Sequence, residues 1–258
     1  MPENLQSSVR ASQPCAISVI VPIKNEEENI TAVYEAVRDA LAQAAPDFEL
    51  IFVDDGSTDR SLELIKGLAA RDPRVVWLSF DRNHGQTAAW DAGFKAARGR
   101  LLATMDGDLQ NDPADYPAMI GMIGPDCDIV CGVRQKRMDS VVRKISSRVG
   151  NGFRNWITGE SVTDVGCSLR VFKRECVEGL KLFEGMHRFF PTLLKMEGWR
   201  FKEVPVRHHP RARGKTKYGV WNRLWRGLRD CLAVAWMRDR RLRYRIAARS
   251  ANPPTTAA

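Results

Sequence analysis

No apolar run in this 258-residue chain approaches the roughly 18 residues that a membrane-spanning helix needs. The first 14 residues are polar and contain no apolar segment of the kind found in a signal peptide. These absences predict a chain that does not cross a bilayer by itself. We expect frayed tails at residues 1–14 and 247–258, with the folded part between them.

Paired cysteines and glycine-rich phosphate loops are also missing. The six cysteines form no CxxC pair and no zinc-ligand spacing with the four histidines, which predicts reduced thiols, no disulfides and a cytosolic protein. No GxGxxG follows the first apolar run, and no GxxxxGK[ST] occurs anywhere. If the protein binds a nucleotide, its phosphates must therefore be held by a metal ion and by arginines.

Positive charge is concentrated at one end of the chain. Between Arg207 and Arg249 the net charge is +12, within a total of +9, so the rest of the chain carries −3. This segment also has an apolar stripe at helical spacing, which predicts a basic amphipathic helix at 218–246. The stripe consists of Trp221, Trp225, Leu228, Leu232 and Trp236. Such a helix suits an anionic membrane surface. The alternative is a terminal helix whose apolar side packs on its own domain.

Apolar runs of strand length alternate with helical segments along the first half of the chain. This alternation predicts an α/β fold with a mostly parallel sheet and helices on both faces. In the first half the predicted strands are Ile17–Val21, Phe48–Val53, Val75–Ser79 and a run from Leu101. Further along the chain they are Ile129–Val133, Ser168–Phe172 and Phe201–Val206. The predicted helices end near Ala44, Ala70 and Ala97, followed by Ser140–Ile157 and Arg188–Glu197, and the first should carry Glu26–Glu28 in its first turn.

Acidic residues follow three of these strands, namely the first, the second and the strand from Leu101. Asp106, Asp108 and Gln110 stand at every second position after the strand from Leu101, and Asp54 and Asp55 follow the second strand. Because ligands bind at the carboxyl ends of strands in open α/β sheets, these loops should converge on one rim with the loop after Pro22. Carboxylate and amide oxygens suit a hard divalent cation. The alternative for the loop with Asp106, Asp108 and Gln110 is an ordinary polar turn.

Four blocks in fixed order carry a resemblance to a known family. They are Val-Pro-Ile-Lys-Asn-Glu-Glu at 21–27, Val-Asp-Asp-Gly-Ser-Thr-Asp at 53–59, Asn-His-Gly-Gln at 83–86 and Met-Asp-Gly-Asp-Leu-Gln-Asn-Asp-Pro at 105–113. Together they resemble glycosyltransferase family 2, with its Rossmann-like GT-A fold, and within it the polyprenyl- and dolichyl-phosphate sugar transferases such as dolichyl-phosphate mannosyltransferases. Later blocks at 132–134, 143–148, 164–170 and 211–218 resemble the same branch. The resemblance implies a GT-A domain at 15–217.

The resemblance also implies roles for individual residues. The nucleotide pocket would contain Pro22, Lys24, Glu26, Val53 and Asp55, with Asp106 and Gly107 also contacting the donor. An Mg²⁺ or Mn²⁺ ion would be held by Asp106, Asp108 and Gln110. The cations around the donor diphosphate and the acceptor phosphate would be Arg134, Arg148, Arg211 and Lys217, with Asp108, Arg134 and Arg148 taking part in catalysis.

These roles imply a metal-dependent, inverting hexosyltransferase. It would move a sugar from a GDP-mannose or UDP-hexose type of donor to a polyprenyl or dolichyl phosphate, as a peripheral protein on the cytoplasmic face of the membrane. A separate membrane protein is a candidate partner, and no nucleic acid is expected. A lipid phosphate is already an anion and needs no general base, whereas a hydroxyl acceptor would need one. Asp164 is the candidate base, with a structural turn acid as the alternative.

Two other functions stay open. A soluble transferase of the same family could act on a saccharide or a protein hydroxyl, which would leave the C-terminal helix purely structural. A nonenzymatic nucleic-acid-binding module is suggested by the basic end of the chain. That second alternative lacks an RNP-like or zinc motif and does not account for the acidic loops.

Overall fold

The structure, a computed structural model, describes residues 15–134, 162–210 and 220–242, together with positions 152 and 159. Side chains are described within these ranges except at 220–226. The predicted helix Ser140–Ile157, both predicted tails, and the site residues Arg148, Arg211 and Lys217 lie outside the described residues.

Seven strands form one mixed sheet. They are β1 (Ile17–Ile23), β2 (Glu49–Asp54), β3 (Val75–Ser79), β4 (Leu101–Thr104), β5 (Ile129–Arg134), β6 (Arg170–Lys173) and β7 (Phe201–Val206). Their order is β3-β2-β1-β4-β6-β5-β7. Neighbouring strands are parallel except at β6, which runs antiparallel to both β4 and β5. The prediction of a mostly parallel sheet is confirmed, and the reversal of β6 is a feature that the strand pattern did not predict.

Helices cover both faces of the sheet, as predicted. They are α1 (Ile30–Leu41), α2 (Ser61–Ala69), α3 (Gln86–Ala96), α4 (Tyr116–Gly121), α5 (Phe190–Met196) and α6 (Val220–Arg240). On β2, Leu50 and Phe52 face the core layer under α1 and α2, whereas Ile51 and Val53 face the layer under α3 and α5. Burial on both faces explains why this strand is an uninterrupted apolar run.

The segment before α1 is a loop, so the prediction of acids in the first turn of this helix is wrong. Helix α1 begins at Ile30 and has no acidic residue in its first turn. Asn25 adopts a left-handed conformation with φ of 51°. The backbone N–H groups of Glu26 and Glu27 donate to Ser61 Oγ (2.9 Å) and Asp59 Oδ2 (3.2 Å). These long-range hydrogen bonds hold the segment as a loop against the start of α2.

Helix α6 packs one side on the domain and exposes another. Cys231 and Val234 are buried against a cluster that includes Phe189 and Leu193, whereas Leu232 and Trp236 are 56% and 65% exposed. The predicted apolar stripe therefore includes residues that point away from the domain, and different residues hold the helix in place. Within the ranges described, no helix has both the length and the apolar character that a bilayer crossing requires.

Candidate active site

The loops that follow β1 and β2 are joined by reciprocal hydrogen bonds. The N–H of Asn25 donates to Ser57 Oγ (2.9 Å), and the N–H of Thr58 donates to Asn25 Oδ1 (2.7 Å). The ammonium group of Lys24 donates to the carbonyl of Gly56. Two of the three predicted loops are therefore in direct contact at the carboxyl edge of the sheet.

The loop that follows β3 connects this pair to the acidic loop after β4. Asp55 is buried, and its carboxylate accepts the N–H groups of His84 (2.6 Å) and Gly85 (3.0 Å). The next residue, Gln86, donates its side-chain amide to Asp106 Oδ1 (2.7 Å). Asp55 and Asp106 are thus held by consecutive residues where the loop after β3 meets the start of α3, so the predicted convergence of the acidic loops is observed.

Asp106 and Asp108 interact electrostatically. Burial, and then the negative charge of Asp108, raise the pKa of Asp106. The Asp108 carboxylate is buried and accepts the N–H of Gln110 at 3.2 Å. Two carboxylates that repel each other are stabilised when a cation binds between or beside them.

The donor set of this loop fits a hard divalent ion. Magnesium-type ions are commonly bound by one or two carboxylates, with substrate phosphates and waters completing the coordination. Asp106, Asp108 and the Gln110 amide supply ligands of this kind. In the parts of the chain that the structure describes, no group of three or more His, Cys, Asp or Glu side chains is placed to hold a metal ion.

The acidic loop contacts β1 and the segment just before β6. Ser168 Oγ accepts the N–H of Asp106 (3.0 Å) and the side-chain amide of Asn111 (2.9 Å). A Cβ at Gly107 would lie 2.6 Å from Ile23 Cδ1, so a larger residue there would require the Ile23 side chain to shift. Close approach of Gly107 to a donor stays a prediction.

The remaining predicted donor-pocket residues lie at the same edge. Pro22 is the register partner of Val53 where β1 and β2 end. Glu26 accepts the side-chain amide of Asn29 at 2.7 Å. Their contacts with a nucleotide stay predictions.

Arg134 forms a bidentate ion pair with Asp164. Its Nε and Nη2 each lie 2.7 Å from an Asp164 carboxylate oxygen, and its backbone N–H donates to the same group. Both side chains are largely buried, with 14% and 9% of the side-chain surface exposed. Burial acts to lower the pKa of Arg134, but hydrogen bonds and charge from Asp164 oppose it, and the pKa is raised. In this state Asp164 orients Arg134 and neutralises much of its charge.

The chain that leaves β7 is attached to the acidic loop. The N–H of His209 donates to the carbonyl of Gln110 at 2.8 Å. Asp112 forms ion pairs with Arg207 (3.4 Å) and with His209 (3.2 Å) where that histidine is protonated. The basic block at 211–218 begins two residues after His209 in the sequence. Two residues of extended chain span at most about 7 Å.

Three residues that the sequence did not single out contribute to the site. Gln86 and Ser168 hold Asp106, and Arg170 is a buried cation at the start of β6 whose charge partly opposes the rise that burial and Asp108 cause in the pKa of Asp106. Gln86 and Arg170 lie within the matched sequence blocks, but nothing in those blocks gave them a role. Their partners come from distant parts of the chain, so a local pattern could not find them.

Solved structures share this fold. A mannosyltransferase from Pyrobaculum calidifontis in complex with GDP-Man and Mn²⁺ superimposes with a TM-score of 0.60 at 19% identity, covering 89% of this chain and 65% of that one. Glucosyl-3-phosphoglycerate synthase from Mycobacterium tuberculosis, in complex with Mn²⁺, UDP and phosphoglyceric acid, gives 0.65 at 19% identity, covering 87% and 78%. At this level of identity the similarity establishes the fold.

Sequence relatives are closer. A dodecaprenyl-phosphate galacturonate synthase of Rhizobium johnstonii is 41% identical over 229 residues, which cover 86% of this chain and 67% of that protein. An undecaprenyl-phosphate 4-deoxy-4-formamido-L-arabinose transferase of Edwardsiella ictaluri is 35% identical over 205 residues, covering 79% and 63%. This chain therefore spans about two thirds of the length of these relatives. The model of the family described as glycosyl transferase family 2 matches residues 18–180, and the chain belongs to that family.

Proposed function

We propose that this protein transfers a sugar from a nucleotide diphosphate to a polyprenyl phosphate at a membrane surface. The observation that carries the proposal is the linkage of Asp55, Asp106 and Asp108 at one edge of the sheet, through the loops after β2, β3 and β4. The names of the relatives at 41% and 35% identity support a polyprenyl-phosphate acceptor.

This edge of the sheet has the groups that sugar transfer from a nucleotide requires. A divalent cation held by Asp106 and Asp108 would stabilise the negative charge that develops on the departing diphosphate. Gln86 keeps the Asp106 carboxylate oriented, and Ser168 fixes the backbone of the same residue. Asp55 is held rigidly enough by two N–H groups to present its remaining lone pairs to a ribose or a base.

The basic groups suit an acceptor that is already charged. A lipid phosphate needs no general base, so its binding site needs cations that position it and reduce repulsion from the diphosphate. Arg134 lies at the end of β5 and is oriented by Asp164. His209, two residues before the block at 211–218 that contains Arg211 and Lys217, is bonded to Gln110. The ion pair with Arg134 supports an orienting role for Asp164, and we propose Arg134, Arg211 and Lys217 as the cations that bind the acceptor phosphate.

The acceptor defines the first test. With Mn²⁺ and a panel of UDP and GDP sugars, purified protein should transfer sugar to a short polyprenyl phosphate in detergent. No transfer to soluble saccharides or peptides is expected. Transfer to soluble acceptors with none to the lipid phosphate would contradict the proposal and favour the soluble family 2 transferase.

The exposed side of α6 is the proposed membrane contact. Leu232 and Trp236 lie one turn apart and are exposed, as are Arg229 and Arg240 on the same side. Apolar side chains flanked by arginines suit the headgroup region of an anionic leaflet. Attachment through this side would bring the catalytic domain to the surface where a lipid acceptor resides.

Replacing both Leu232 and Trp236 with Ser should weaken binding to phosphatidylglycerol vesicles by at least about tenfold, because each apolar side chain buried in the interface contributes about 1.5–3 kcal/mol. Vesicle sedimentation measures this, with nucleotide binding expected to be unchanged. Trp77→Ser is the matched control, because Trp77 is a 40% exposed tryptophan on β3. Equal vesicle binding by the double variant and the wild type would refute the contact.

A further inference from the structure

Arg170 is buried without enough hydrogen-bond partners. Only 1% of its surface is exposed. Its Nη2 donates to the carbonyl of Val165 at 3.1 Å, whereas Nε and Nη1 are buried and find no acceptor among the described residues. A guanidinium is always charged, and each donor that is buried without an acceptor destabilises the folded protein. A position this costly indicates an acceptor that arrives with a ligand.

The groups around Arg170 are aromatic faces and further donors. Its guanidinium carbon lies 5.1 Å from the ring centroid of Trp90 and 5.7 Å from that of Phe190. The indole Nε1 of Trp90 is also buried and finds no acceptor in the described ranges. Two unpaired donors from different elements, α3 and β6, thus meet in one place.

His187 adds a neutral donor beside Trp90. Their rings meet edge to face with centroids 6.1 Å apart. The Thr87 hydroxyl accepts the N–H groups of Gly185 (3.2 Å) and His187 (3.4 Å), so its own hydrogen is available to His187 Nδ1 at 2.8 Å. Burial, and then the charges of Arg188 and Arg170, lower the pKa of His187 to about 3. The ring is therefore neutral, with its hydrogen on Nε2.

This cluster lies beside the acidic loop. Arg170 is the register partner of Thr104 at the end of β4, two residues before Asp106. Gln86, at the start of α3, binds Asp106, and Trp90 lies one helical turn further along α3. Arg170 makes no ion pair with Asp106 or with any other acid in the described part of the chain, although its charge partly opposes the rise that burial and Asp108 cause in the pKa of Asp106. The unpaired donors are therefore adjacent to the place proposed for the donor diphosphate.

We propose that Arg170 and Trp90, with His187 at the edge, form a subsite for an oxyanion of the substrates. The oxyanion is either a carboxylate on the transferred sugar or a phosphate oxygen, since both present charged oxygen acceptors to N–H donors. The inference rests on the proposed function and adds a specificity-determining group to it. The turn Met186–Phe189, which contains His187, is tied to α3 through the Thr87 hydroxyl.

The test compares ligand binding with stability in Arg170→Met. This variant should unfold at the same temperature as the wild type or higher, because replacing an unpaired buried charge with an apolar side chain of similar size is often stabilising. Calorimetric titrations with Mn²⁺ would use UDP, UDP-galactose and UDP-galacturonate, and kinetic assays would use a short polyprenyl phosphate. For at least one ligand the affinity should fall, or the KM should rise, by about tenfold or more, as expected for the loss of a charged hydrogen bond.

The pattern of loss identifies the source of the oxyanion. Loss confined to UDP-galacturonate indicates a sugar carboxylate, equal loss with all three nucleotides indicates the diphosphate, and an increase in the KM for the lipid alone indicates the acceptor phosphate. Trp90→Phe keeps an aromatic ring at this position but removes the indole N–H, so it should weaken binding of the same ligand to a smaller extent.

Arg174→Met is the matched control. Arg174 follows the other end of β6 and donates to the carbonyls of Ala97 and Gly99, so its loss should lower stability and leave binding unchanged. Unchanged affinities in a folded Arg170→Met protein overturn the inference. If that variant does not fold, unchanged affinities in Trp90→Phe overturn it. Failure of the wild type to bind any nucleotide sugar would instead contradict the proposed function.

Discussion

Replacing Asp108 with Asn is expected to reduce sugar transfer by at least about 100-fold, because the cation would lose one of its two carboxylate ligands where charge develops. The fold should survive, since Asn keeps an oxygen that can accept the N–H of Gln110. The metal-free variant should be at least as stable as the wild type, because the charge of Asp108 raises the pKa of Asp106 through repulsion. Initial rates and melting temperatures, each with and without Mn²⁺, measure both effects.

The matched control for this experiment is Asp112→Asn in the same loop. Asp112 accepts the N–H of Ala114 at 2.9 Å and caps the short helix that starts at Pro113, a role that Asn performs equally well. Its ion pairs with Arg207 and His209 are partly exposed and contribute little. This variant should keep its activity. Full activity in Asp108→Asn would remove Asp108 from the proposed metal site.

The sequence predicted the strands well because burial leaves a local pattern. Five of the seven strands start at the residue where the apolar run predicted them to start, as in β3 at Val75 and β7 at Phe201. The reversal of β6 has no such pattern, since a short buried strand has the same composition in either direction. The loop before α1 was misassigned for a related reason. Its conformation depends on hydrogen bonds to residues more than 30 positions away.

The candidate site was predictable in its acids and much less so in their supports. Asp55, Asp106 and Asp108 follow apolar strands, and the topology of a parallel sheet alone brings such positions together. Gln86 and Ser168 hold Asp106 through contacts that span 20 and 62 residues. Arginine is ordinarily an exposed residue, so the sequence gives no sign that Arg170 is buried. The structure shows its guanidinium against the aromatic rings of Trp90 and Phe190.

The glycine after Asp55 should be as important for stability as Asp108 is for activity. Gly56 has a φ of +67°, and a Cβ there would lie 2.5 Å from the carbonyl carbon of Arg82 and 2.7 Å from its Cα. Because both contacts are with backbone, no side chain can rotate away to relieve them. Gly56→Ala should therefore lower the free energy of unfolding by about 2–4 kcal/mol, combining left-handed strain with overpacking. Urea denaturation measures this change.

The same substitution should also weaken nucleotide binding, because the clash pushes on the loop that holds the acids. Arg82 precedes His84 and Gly85, whose N–H groups bind Asp55, and Lys24 donates to the Gly56 carbonyl. Gly67→Ala is the control. Gly67 is exposed in α2, and a Cβ added there would have no atom within 4 Å, so alanine should stabilise the protein by about 1 kcal/mol through helix propensity. Equal stabilities for the two variants would mean that the loop after β3 yields freely, and the rigid support inferred for Asp55 would be wrong.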